Sequence, residues 1–149
     1  MLAALAMALA FAAGADAKTV SYTGEGTSLK AGQSKGLPIL MGFELRGKGC
    51  PGGPHCFDHA LVSKFDGVSW AYPNCPEVLD SGFELAKTSR VAKAAPHTFS
   101  ASGVNENYAG DQVTIEGRLL RHGRLAKGWF TVTDSGCSTG RVSWTAKPD

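Results

Sequence analysis

From residue 111 to residue 147 apolar and polar residues take turns, and this alternation limits the fold more than any other feature. A strand shows successive side chains to opposite faces, so strict alternation means one buried face and one wet face. In 111–120, Val113, Ile115 and Leu119 oppose Thr114, Glu116 and Arg118. In 125–134, Phe130 and Val132 oppose Trp129, Thr131 and Thr133. In 141–147, Val142, Trp144 and Ala146 share one face. His122-Gly123 lies between the first two runs, and glycine there suits a tight hairpin turn. The same period recurs upstream. Val20 and Tyr22 pair in 19–24, and Leu37, Ile39, Met41, Phe43 and Leu45 in 37–47. Leu61 and Phe65 are expected to share a face in 59–67, Val68, Trp70 and Tyr72 in 68–72, and Phe99 and Ala101 in 97–103. Residues 76–94 compete as helix, but Gly82, Thr88, Ser89 and Val91 weaken it, so short strands near 82–87 and 89–94 are expected instead.

Strands with one apolar face need a second layer to cover it. The expected fold is therefore all-β: a single-domain antiparallel β-sandwich or flattened barrel, stapled by disulfides. The chain opens with an apolar stretch, 2–13, too short to span a bilayer, and reaches Ala15-Asp16-Ala17, small residues of the kind a signal peptidase reads. Residues 1–17 are expected to be a signal peptide and 18–149 the secreted β-sandwich domain. The one departure is the lack of Lys or Arg ahead of the apolar stretch. Cleavage before Lys18 leaves 149 − 17 = 132 residues with 15 basic and 13 − 1 = 12 acidic side chains, a net charge of +3. That balance is too mild to predict nucleic-acid binding. No later apolar run is long enough to hold the domain in a membrane.

Four cysteines, an even number, favour disulfides in an exported chain. Two lie in "CPGGPHCFDH", 50–59, where Pro51-Gly52-Gly53-Pro54 can turn Cys50 back toward Cys56. The competing reading is zinc, with His55 and His59 as weak candidate ligands. The spacing lacks the C-x-x-C of a knuckle and the second pair that would complete a tetrahedral shell. A disulfide-closed surface loop is the simpler expectation, with no metal and no cofactor. Cys75 and Cys137 then remain to pair, although sequence allows three connectivities.

The segment 136–149, "GCSTGRVSWTAKPD", resembles the end of an uncharacterised family of secreted bacterial β-proteins. The matching pieces run in order: Tyr22-Thr23-Gly24, Cys75, Thr98-Phe99-Ser100, then the strand from Cys137 to Ala146. The resemblance implies a secreted all-β domain and supports the Cys75–Cys137 pairing. It implies no activity. The "CPGGPHCFDH" segment departs from the family pattern.

Catalytic motifs are weak. Gly136-Cys137-Ser138-Thr139-Gly140 fits G-x-S-x-G, but a strand follows where a hydrolase elbow needs a helix. Asp80, Glu84, Asp111 and Glu116 are carboxylates with ordinary turn or strand explanations. For binding, Trp129 is expected on the outer face, where an exposed aromatic can stack on sugar; the competing reading is a Trp that covers a small cluster under a loop with Tyr108, and both residues are candidates. Arg118, Arg121 and Arg124, together with His122 and Lys127, cluster at one hairpin tip, where such charges ordinarily provide solubility and blunt an edge; the other reading is contact with an anionic envelope polymer or phosphate. The aromatic interleaving of a single-strand nucleic-acid platform is missing. The expected function is a non-catalytic binding or structural domain, secreted or at the cell envelope, its partner a glycan or another secreted protein. The alternatives are a small secreted hydrolase and a protease inhibitor presenting the Cys50–Cys56 loop.

Overall fold

The computed structural model describes residues 17–28, 39–69 and 81–149. Among these residues ten strands form one antiparallel sheet that curls into a nearly closed barrel. They are β1 (Lys18–Ser28), β2 (Ile39–Gly47), β3 (Leu61–Ser69), β4 (Ser81–Leu85), β5 (Ser89–Arg90), β6 (Thr98–Val104), β7 (Gln112–Leu120), β8 (Leu125–Asp134), β9 (Cys137–Ser138) and β10 (Val142–Pro148). Around the wall the order is β4-β3-β2-β1-β10-β8-β7-β6; β5 pairs with β3 and β9 with β8. Every strand is antiparallel to its neighbours, so the barrel is an up-and-down meander whose first and last strands, β1 and β10, lie side by side.

The alternation read from sequence places the core. Val113, Ile115, Leu119, Phe130, Val132, Val142, Trp144 and Ala146 all point inward and are buried. They meet Tyr22, Met41, Phe43, Leu45 and Phe83 from the other wall, and Phe99 on β6 beside β7. Tyr22 stacks on Phe43 at 4.7 Å, and Phe83 tilts against Phe130 at 4.8 Å. Side chains fill a barrel of this size, as eight main strands leave little more than room for them. Two glycines make that filling possible. Gly117 and Gly128 are cross-strand partners on β7 and β8, and both face inward. A Cβ on Gly117 would lie 2.9 Å from Trp144 Cη2, and one on Gly128 would lie 2.5 Å from Trp144 Cζ2. The indole of Trp144 occupies the space that two side chains would otherwise take.

The face expected for β3 is corrected. Leu61 is only half-buried, while Val62 and Phe65 are fully inside. The cause is a bulge: the register with β2 shifts between Gly42 and Glu44, and Lys64 has φ 51°. An extra residue on one strand flips the parity beyond it. Of the upstream strand expected at 68–72, β3 takes in Val68, while Trp70 and Tyr72 lie outside the described residues. The two short strands expected within 82–94 appear as β4 and β5.

The seam between β4 and β6 is where the sheet fails to close by main chain alone. Asn105, just past β6, closes it with its side chain. Its Oδ1 accepts from Glu84 N–H at 3.0 Å, and its Nδ2 donates to Gly82 O at 3.1 Å. The amide therefore pairs with β4 as a neighbouring strand would. Glu106 N–H adds a main-chain bond to Glu84 O, and Ala92 N–H one to Thr98 O. Asn105 is buried, so these bonds are made where water cannot compete.

Candidate functional site

Cys50 and Cys56 form a disulfide. Cys137 is also disulfide-bonded, while Cys75, its expected partner, lies outside the described residues. The Cys50–Cys56 loop is not the surface appendage that the sequence suggests. Both cysteines are buried, and the loop lies over one end of the barrel. Gly52 N–H donates to His122 O at 2.6 Å, tying the loop to the β7–β8 turn. Tyr22 reaches the same turn from inside, donating its hydroxyl proton to Gly123 O. Phe57 stacks on His97 at 3.8 Å. Short-range turn formers predicted the loop, but nothing local could show that it would meet a turn some seventy residues later in the chain.

The loop places His55, Asp58 and His59 on the outside. His55 Nδ1 and Asp58 Oδ2 are 3.1 Å apart, and Lys93 Nζ is 3.3 Å from Asp58 Oδ1. Those bonds, His55 first and Lys93 second, hold the Asp58 carboxyl below its usual range. His55, Asp58 and Lys93 line a cavity of about 540 Å³ with Arg46, Lys48, Leu61 and His59. Among the described residues no three His, Cys, Asp or Glu gather as metal ligands.

Two further grooves continue from this cavity around the outer wall. The next, of about 690 Å³, shares His59 and Lys93 with the first and adds Arg90, Ser89, Thr98 and Ser100. The last, of about 420 Å³, shares Thr98, Glu116 and Gly117 with the second. It adds Arg118, Lys127, Trp129, Ser143 and Thr145. The three form one track. Among the described residues six Lys and Arg line it (Arg46, Lys48, Arg90, Lys93, Arg118, Lys127) against two carboxylates, Asp58 and Glu116. Arg118 stands directly across from Lys127 in the β7–β8 register. Like charges in that position repel and weaken the sheet.

Trp129 is on the outer face, as its parity requires, between Glu116 on β7 and Ser143 on β10. The Arg141 guanidinium lies over its ring, 4.3 Å from the centroid. Sequence gave no sign of that partner. Tyr108 is exposed but belongs to the β6–β7 connection. Four strand residues separate the Trp129 row from the Gln112 row, about 13 Å along the wall. The structure thus does not join Tyr108 to Trp129. Arg121 and Arg124 sit at the barrel end with the disulfide loop, and Arg124 lies close to Gly52. Only Arg118 of the three expected arginines joins the track. Arg46, Lys48, Arg90 and Lys93 were missed, because they come from strands and loops that meet only in the folded barrel.

The remaining polar candidates are dispersed. Ser138 lies in β9, and its Oγ accepts from Gly140 N–H at 3.1 Å; strand β10 follows. Glu84 is exposed on β4, across from Asp66, whose carboxyl is raised by burial and by that facing charge. Asp111 is buried beside Asn105, and burial pushes its carboxyl up. Asp80 lies outside the described residues.

No protein-family model, curated protein or solved structure matches this chain. The kinship suggested by the C-terminal strand rests on its motif alone.

Proposed function

We infer that the protein is a non-catalytic binding domain, secreted or held at the cell envelope, that takes an anionic polysaccharide along its outer wall. The observation that carries this reading is the continuous track of six cationic side chains and two carboxylates. Its geometry suits a linear polymer better than a compact ligand, because three adjoining grooves share their lining residues. The Arg118–Lys127 pair adds support: a like-charged pair costs folding energy, and a bound anion removes that cost. Ser89, Thr98, Ser100, Ser143 and Thr145 supply hydroxyls for sugar hydroxyls. A buried disulfide fits an oxidising compartment, and the Ala15-Asp16-Ala17 ending fits export. The inhibitor reading has less support, since the Cys50–Cys56 loop lies bonded against the barrel end.

The test is binding to immobilised heparin and polygalacturonate, with uncharged dextran and single-stranded DNA as comparators. The expected result is salt-sensitive binding to the two acidic polysaccharides and none to dextran. Replacing Arg118 and Lys127 together by Gln should weaken it about tenfold, two ion pairs each contributing up to about 1 kcal/mol. Unchanged affinity in that variant would remove the track from the function. DNA binding as tight as polysaccharide binding would show a general polyanion surface instead.

A further inference from the structure

We propose that cleavage before Lys18 builds part of the anion site, by placing the new α-ammonium of Lys18 in the cavity beside the disulfide loop. This rests on the outer-wall reading above. Ala17 lines that cavity, together with Arg46, Lys48, Lys93 and His55. Lys18 is the first residue of β1 and stands opposite Gly47, the residue before Lys48. In the uncleaved chain its nitrogen is a neutral amide. An export peptidase hydrolyses the Ala17–Lys18 bond with one water. The carboxylate leaves on Ala17, and the freed amine of Lys18 takes up a proton. The cavity loses the Ala17 wall and gains one positive charge with three N–H donors.

Among the described lining residues that charge has no spare counter-ion. Asp58 is their one carboxylate, and His55 and Lys93 already engage both of its oxygens. The ammonium therefore adds to an uncompensated cationic end, where the acidic group of a sugar unit can meet it. At about 540 Å³ the cavity is within the size range of small-molecule sites. Processing then does two things at once: it releases the domain and completes one end of its binding track. The precursor carries the same side chains with a weaker site.

The experiment uses protein exported from a bacterial host and sequenced from its N-terminus. It compares the free α-amine with the same protein acylated selectively at that amine near pH about 6.5, where lysine side chains stay protonated. Both forms are titrated against heparin and polygalacturonate, and unfolding midpoints are recorded for each. The expected result is affinity about threefold to fivefold weaker for the acylated form, at equal stability, as for the loss of one exposed ion pair. Equal affinity in both forms overturns this inference and leaves the outer-wall reading in place. Binding by neither form overturns the outer-wall reading, and this inference with it. A mature terminus other than Lys18 also overturns it.

Discussion

Tyr22 donates its hydroxyl proton to the main-chain oxygen of Gly123, 101 residues further along the chain. The bond joins β1 to the β7–β8 turn from inside the barrel, under the disulfide loop. Burial pushes the phenol up from 10.0 to about 12. A raised acid favours folding while it stays protonated. Its contribution is therefore whole below pH 10 and is lost as pH rises toward about 12. Two pKa units correspond to about 3 kcal/mol. Tyr22→Phe should cost about 1–2 kcal/mol at neutral pH by stranding the Gly123 carbonyl, and should flatten the alkaline loss. Denaturant unfolding from about pH 8 to about pH 12 reads both effects, and tyrosinate absorbance follows the titration itself.

Replacing Cys50 and Cys56 together by Ala should lower stability by about 3–4 kcal/mol. Closing so short a loop accounts for about 2 kcal/mol of that. The rest comes from the packing of Phe57 and the Gly52–His122 bond, which the loop needs the disulfide to hold. A loss of 2 kcal/mol or less would mean that the loop keeps its place over the barrel end without the link. Because both cysteines are buried, reduction of the native protein should be slow until denaturant is added.

Gly128→Ala should destabilise by at least about 2 kcal/mol, as overpacking does in a filled core. The added methyl would collide with the Glu116 carbonyl and the Trp144 ring. Gly82→Ala is the control. Its nearest neighbours would be 3.9 Å and 4.0 Å away, so its effect should be neutral or slightly stabilising. Thermal unfolding of the two variants, side by side, separates local crowding from the general preference of strands for residues other than glycine.

Asn105→Ala should open the β4–β6 seam and cost about 2–4 kcal/mol, since it strands the buried partners of a side chain that bonds in both directions. Asn105→Asp is the sharper probe. It keeps the acceptor for Glu84 N–H and removes the donor to Gly82 O, beside an already raised Asp111. Hydrogen exchange at Glu84 and Glu106 should speed up in the Ala variant while the β7–β8 ladder stays protected.

The parts of this fold legible in sequence are those where period and face agree over a long run. Phe130 and Val132 inward with Trp129 outward is such a case, and so is Trp144 between Val142 and Ala146. What escaped has no local marker. Lys64 makes a bulge with positive φ although lysine carries no preference for it, so the parity of β3 reads wrongly from Leu61. Asn105 looks like an ordinary turn residue, and only the barrel's circumference brings Gly82 and Glu84 to it. The candidate site is harder still. Its cations come from β2, β5, β7, β8 and two loops, and no stretch of sequence holds more than a pair of them.

The neighbouring of β1 and β10 sets a condition on when this protein can fold. β10 fits between β8 and β1 and carries Trp144 into the core. Until that strand has been synthesised, β1 and the Ala126–Phe130 part of β8 each present an unpaired edge, and the interior lacks the Trp144 ring. The chain cannot lock itself shut from the front, however early its first hairpins form. It stays open between β1 and β8 until β10 has been made, and that strand acts as the latch.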